Sequence, residues 1–303
     1  MQRLIRAHSF RNSVPRVARK LAQLPTLLAG LLAALATGCM TDSTPLDPTK
    51  INATVSVNAG DAQLAVVGQA VPIAPSVLVK RNGSPAANVT ITFSVVGNGS
   101  VTPSNVLSDA NGIARVTSWT LNNVAGPNVL KALVAGSDTA FVLINAVGLP
   151  STPVAITKFA GDAQIAPVST LLPIRPAVKV ADQFGNGVPG ITVNFTATAG
   201  SGVVGGTSQV TGADGVASVS VWTLGQTAGQ QSITASAAAI STQLVFTATA
   251  LPGAAASLTK IVGDAQTGTV AQSVAIKPSV KVVDQFGNAV SGVAVTLDRT
   301  SVV

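Results

Sequence analysis

The chain contains no glutamate and no tyrosine, one histidine and one cysteine. His8 sits in a basic opening segment, and Cys39 follows the apolar run after it. Beyond Cys39 there is no His, Cys, Glu or Tyr. That removes Ser-His-Asp and Cys-His nucleophile systems, zinc centres and Glu-based acid–base pairs, so neither an enzyme nor a cofactor is expected. All eleven acidic residues are Asp, a turn former where Glu is a helix former. Aromatics make up 3% of the chain and charged residues 10%. Ala, Val, Thr, Ser and Gly dominate instead, the usage of many short strands joined by turns. Without cysteine pairs, stability must come from apolar cores. The positive charge is unevenly placed. Arg3, Arg6, Arg11, Arg16, Arg19 and Lys20 precede the first acid, and the remainder of the chain is nearly neutral despite a net charge of +7. No nucleic-acid partner is expected.

Residues 1–38 have the order of a signal peptide. The apolar run 21–35, LAQLPTLLAGLLAAL, has the length of a signal h-region and is too short for a membrane span. The sequence Ala36-Thr37-Gly38-Cys39 resembles the lipobox of bacterial lipoproteins, with Ala36 where Leu is commonest. The resemblance implies cleavage before Cys39, acylation of its thiol and new amine, and a membrane partner through that anchor. In the Gram-negative members an Asp after the Cys retains the protein at the inner membrane. Met40 therefore implies export to the outer membrane or cell surface. Residues 39–51 form a polar tether with two prolines, of which ten residues span at most about 35 Å.

From residue 52 the chain repeats. Gly-Asp-Ala-Gln occurs at 60–63, 161–164 and 263–266, and Ile-x-Pro at 73–75, 174–176 and 276–278. Asn111-Gly112 matches Asp214-Gly215, and Trp119 matches Trp222. A shared period near one hundred residues means tandem domains of immunoglobulin size. The expected divisions are 52–149, 150–252 and a partial copy at 253–303. The short proline-bearing linkers between them imply semi-rigid joints and a rod-like protein. In the second copy strands are expected near 153–159, 167–170, 176–182, 190–197, 206–211, 215–223, 230–236 and 241–249. The third copy stops before its Trp-bearing half, so a fragment of a longer array is expected; otherwise its tail pairs with a neighbour.

The most regular stretch is residues 176–195, PAVKVADQFGNGVPGITVNF, repeated at 278–297 as PSVKVVDQFGNAVSGVAVTL. Apolar alternation on either side marks two half-buried strands. Asp182, Gly185 and Asn186, matched by Asp284, Gly287 and Asn288, supply structural turn chemistry between them. The first copy, 75–93, has Arg81-Asn82-Gly83 there instead. The pattern V-x-V-x-D-x-x-G-N-x-V-x-G-V-x-V-x-F, with the later Asp214-Gly215-Val216-Ala217 turn, resembles the bacterial immunoglobulin-like domain of group 1, found in invasin and intimin surface proteins. The resemblance covers the chain from about residue 52. It implies an all-β fold of tandem immunoglobulin-like sandwiches, two complete and one partial. It also implies a stalk that projects a binding part from the outer membrane.

Few residues remain as ligand sites. Asp162, Asp182 and Asp214 could offer oxygens to calcium, but none lies in a D-x-D-x-D cluster and each has a turn setting, so no metal is expected. Trp119 and Trp222 sit among alternating apolar residues, the setting of structural core. Phe184 and Phe286 lie inside turns; they either contact a ligand or fold back over the sandwich end. The expected function is a cell-envelope-anchored structural or adhesion lipoprotein, its domains a rod or spacer behind a distal binding part. The alternatives are a direct protein- or polysaccharide-binding module acting through loops at one sandwich end, and the stalk of a larger surface enzyme.

Overall fold

The computed structural model describes residues 53–238 and 240–298. The signal segment, Cys39 and the tether lie outside the described residues. Among the described residues every regular element is a strand.

The first repeat comprises β1 (Ala53–Ala59), β2 (Gln63–Val66), β3 (Ser76–Arg81), β4 (Ser84–Pro85), β5 (Thr90–Val96), β6 (Ser100–Thr102), β7 (Asn105–Leu107), β8 (Ile113–Arg115), β9 (Ser118–Thr120), β10 (Gly126–Val134) and β11 (Phe141–Leu149). The second comprises β12 (Ala155–Ala160), β13 (Gln164–Pro167), β14 (Ala177–Ala181), β15 (Thr192–Ala197), β16 (Val203–Gly205), β17 (Ser208–Val210), β18 (Val216–Ser218), β19 (Val221–Thr223), β20 (Gly229–Ala237) and β21 (Ile240–Leu251). Two strands belong to the third, β22 (Ala255–Val262) and β23 (Ser279–Asp284).

Each complete repeat is a two-layer sandwich. In the first, the sheet β2-β11-β10-β5-β7 faces the sheet β1-β3-β4 with β8 beside β3. In the second, β13-β21-β20-β15-β17 faces β12-β14-β18. The period of two in the strands produces this directly. Val178 and Val180 on one sheet, and Val193, Phe195, Ile233 and Phe246 on the other, meet in one core around Trp222. Val77, Val79, Ile91, Phe93, Leu130 and Ile144 do the same around Trp119. Registers correspond: Leu130 pairs with Ile144 as Ile233 pairs with Phe246.

Two turns explain their glycines. The Gly215 carbonyl accepts from the Val180 N–H at 2.8 Å, and a Cβ on Gly215 (φ 77°) would lie 2.4 Å from the Val180 oxygen. Gly112 (φ 74°) stands in the same relation to Val79, with 2.5 Å to its oxygen. The closeness of the turn to the neighbouring strand excludes a side chain at both positions.

The strands differ from the sequence expectation in three places. The strand expected at 215–223 is two, because β18 pairs with β14 in one sheet while β19 pairs with β16 outside it; the chain changes partners at Val219-Ser220. The strand expected at 206–211 is the shorter β17, paired with β15, and β16 just before it, paired with β19, is not among the expected strands. The strand expected at 167–170 lies earlier, as β13, and runs parallel to β21. Its position is set by Gln164, whose side chain donates to the Gly161 and Ile174 carbonyls and accepts from the Ile174 N–H.

The third repeat has the hairpin and little else among the described residues. All eight residues of β22 are exposed. Leu258 is 60% exposed where Ile156, its counterpart on β12, is 5% exposed. The strands that cover this face in the complete repeats have no counterpart among the described residues.

Candidate functional site: the joints between repeats

The Asp-Gln-Phe-Gly-Asn hairpin that follows β14 does more than turn the chain. The Asp182 N–H donates to the Asn186 carbonyl at 2.9 Å, and the Gly185 N–H donates to the Asp182 carbonyl at 3.0 Å. Asp182 Oδ1 accepts from the N–H groups of Phe184 and Asn186, each at 2.9 Å. Gly185 takes φ 85°, a left-handed backbone that favours glycine.

The other carboxylate oxygen leaves the hairpin. Asp182 Oδ2 accepts from the Ser151 N–H at 2.9 Å, fixing the linker that enters the second repeat. Asn186 then reaches the first repeat. Its Nδ2 donates to the Asn123 carbonyl at 2.9 Å, and its Oδ1 accepts from the Ala125 N–H at 2.9 Å. The same Nδ2 donates back to both Asp182 oxygens, so the amide is oriented by the carboxylate that holds the linker. The Phe184 ring lies over Gly68 of the first repeat, its Cζ 3.7 Å from where a Cβ would stand.

The second joint repeats this arrangement, with Asn288 Nδ2 donating to Asp284 Oδ2. Asp284 Oδ2 accepts from the Gly253 N–H at 2.8 Å, and its Oδ1 accepts from Phe286 and Asn288 N–H groups at 2.9 Å. Asn288 donates to the Gln226 carbonyl and accepts from the Ala228 N–H, both at 2.8 Å. Phe286 packs against the core of the second repeat. Asp284 is buried, which opposes its charge. Hydrogen bonds from Asn288, Gly253 and Phe286 outweigh that cost and pull its pKa down to about 2. Burial and hydrogen bonding act on Asp182 in the same opposing way, and the balance again lowers its pKa.

The receiving loops are held from below. Asn128, buried, accepts from the Asn122 N–H at 3.0 Å and donates to the Gly126 carbonyl at 3.1 Å. Gln231, also buried, accepts from the Gly225 N–H at 2.7 Å and donates to the Thr227 carbonyl at 2.9 Å. The loop of each complete repeat thus presents a shaped carbonyl and N–H pair before the next repeat arrives.

The structure brings Asp182, Phe184, Gly185 and Asn186 together at one joint, and Asp284, Phe286, Gly287 and Asn288 at the other. Phe184 remains 41% exposed and Phe286 is half-buried. Trp119 and Trp222 are elsewhere, buried in their cores, and Trp222 Nε1 donates to the Ser201 carbonyl at 2.8 Å. The other Asp residues tie backbone rather than one another. Asp162 accepts from the Thr247 N–H and Asp214 from the Val216 N–H. Among the described residues no three carboxylate, His or Cys groups converge. An open depression of about 670 Å³ flanks the first joint, its charged lining being Lys179 and Asp214. Sequence reasoning missed Asn123, Ala125, Gln226 and Ala228. They contribute backbone atoms, which carry no side-chain signature. The available signal lay in the hairpin itself: Asp and Asn stand in the two copies that follow a repeat. The copy that follows the tether has Arg81-Asn82-Gly83, a tight turn with Asn82 and Gly83 at φ 51° and 82°.

No family model and no curated protein matches the chain. Solved structures do. InvD of Yersinia pseudotuberculosis aligns over 79% of this chain and 72% of its own, with 16% identity and a TM-score of 0.51. Invasin, described as a bacterial integrin-binding protein, aligns over 80% of this chain and 48% of its own, with 21% identity and a TM-score of 0.36. The Yersinia pseudotuberculosis adhesin InvE aligns over 66% and 58%, with 19% identity and a TM-score of 0.31. On fold, the chain is a tandem array of immunoglobulin-like β-sandwiches, the architecture it shares with InvD.

Proposed function

We propose that the chain is an exported spacer of the cell envelope, whose sandwiches are held at fixed angles to present a distal adhesive part. The observation that carries this reading is the clamp. Both joints are closed by the same Asp–Asn pair, one carboxylate on the linker and one amide on the preceding repeat. A chain that only needed to bind through its loops would have no use for two identical joints. Adjacent domains move relative to each other by default; here the oriented bonds of the clamp, those to the carboxylate charge-assisted, tie them together. The chain end opposite the clamps belongs to the proposal as well. Acylation of Cys39 anchors the array at the outer membrane or cell surface, and the tether sets its first clearance.

The test is a spin-label distance measured across the first joint, between labels on β5 and β15. The expected result is one narrow distance for the native chain and a broad distribution for Asn186→Ala, with both sandwiches still folded. A native distribution as broad as the variant's would remove the spacer reading. Intact mass of the membrane-extracted protein checks the anchor: a chain beginning at an acylated Cys39 is expected.

A further inference from the structure

The two complete repeats share a fold and a register, so each is a control for the other. One face breaks the correspondence. On the outer side of the five-stranded sheet, the cross-strand pair Leu133–Phe141 of the first repeat stands where the second has Ser236–Gln243. Val129 stands where the second repeat has Ser232, and Val147 where it has Thr249. At these positions the second repeat follows the ordinary rule for such a sheet, polar outward, although Val245, Leu251 and Ile165 are exposed elsewhere on the same face. The first is apolar at all four of these outward positions on β10 and β11, with Lys131 and Asn145 the polar residues between them. Phe141 and Leu143 are each 44% exposed and Val147 42%.

We infer that this outer face of the first repeat packs against the same face of a second copy of the chain. Four observations select that occupant. The face is the outer side of a sheet, and apolar sheet faces pack on one another about 10 Å apart, as the two layers of each repeat already do. Strands β5, β10 and β11 contain no acidic residue and one cation, Lys131, whose ammonium is folded 4.6 Å over the Phe141 ring of its own patch. The one carboxylate bonded to these strands, Asp61, is engaged by the Asn145 N–H, so the face offers a charged partner little to read. A lipid surface would call for an apolar face ringed by Lys and Arg, which a lone Lys131 does not supply. Strands β2, β11, β10 and β5 at their usual spacing, with the nine residues of β10 and β11, make a face of about 20 Å by 30 Å. Two such faces bury about 1,200 Å² in total, the lower bound of specific dimers. Packed on a second copy, the patch meets its own shape and polarity, which is the condition for an isologous two-fold contact.

The experiment compares the full chain, isolated as the cell processes it, with the double variant Leu133→Ser and Phe141→Gln. These are the residues the second repeat already carries at the same positions, so the sandwich accommodates them. Sedimentation velocity from low micromolar to submillimolar concentration is expected to show a monomer–dimer equilibrium for the native chain. The double variant is expected to raise the dissociation constant by at least about tenfold, since it removes the apolar area at the centre of the contact. Val129→Ser serves as a second variant if the double one lowers the melting temperature, and is expected to weaken the dimer in the same direction. A native chain that stays monomeric throughout overturns the inference, as does a dimer that both variants leave intact. Vesicles of phosphatidylethanolamine and phosphatidylglycerol supply the remaining arm. Vesicle binding lost in the variant while both proteins sediment as monomers would assign the face to lipid and overturn the dimer.

Discussion

A single carboxylate carries much of each joint. Asp182 accepts three backbone N–H groups and orients Asn186, so removing it strands those donors next to buried surface. Leaving a buried donor unpaired costs about 1–3 kcal/mol. Asp182→Ala is expected to destabilise the second repeat by about that much in urea unfolding. The pH dependence has a definite sign. Asp182 and Asp284 have folded pKa values below their ordinary one, Asp284 at about 2. Their contribution is therefore complete above the unfolded value of about 4 and is lost as pH falls below it toward the folded value. Stability of the native chain measured between pH 5 and pH 2 should fall through that window. The drop should be shallower in Asp182→Ala; an identical profile would show that this carboxylate contributes nothing.

Among the elements, the contrast between equivalent hairpins is the informative one. β14 and β23 share the sequence pattern and the turn, yet β14 lies under a second sheet whereas β22, paired to β23, is exposed along its whole length. Protection of a backbone N–H against exchange follows burial and the number of neighbours that must open with it. Amide exchange by mass spectrometry should leave β14, β15 and β20 protected while β22 and β23 exchange much faster. Equal protection would mean that the third repeat is covered by a partner. Register was partly legible from sequence at this scale. The alternation Val178, Val180 and Val193, Phe195 placed two strands and their buried side. The break inside 215–223 and the short β16 before 206–211 were not legible, because a chain that switches sheets keeps its period of two while changing the neighbours it bonds.

For the molecule as a whole, the clamps couple the stabilities of adjacent repeats. Asn186 touches the second repeat through Asp182 and the first through Asn123 and Ala125. Asn186→Ala should therefore leave each sandwich folded but separate their unfolding, turning one cooperative calorimetric transition into two. An unchanged single transition would show that the repeats are coupled by something other than this amide.

Composition and periodicity alone determined that the chain is all-β, built of sandwiches of about one hundred residues. They also identified Trp119 and Trp222 as core. Those conclusions rest on which side chains leave water, and burial is written in the spacing of apolar residues. What the hairpin is for could only be decided by the tertiary structure. Asp182 and Asn186 announced a turn from sequence, and they do make one. Their remaining hydrogen-bonding capacity is spent on the backbone of Ser151, Asn123 and Ala125, the last two about sixty residues away. A backbone N–H or carbonyl looks the same in every residue, so no pattern of side chains could have named those partners. The apolar outer face of the first repeat was hidden for a related reason. Val129 and Leu133 read as ordinary strand residues until the register with Phe141 showed which side of the sheet they share.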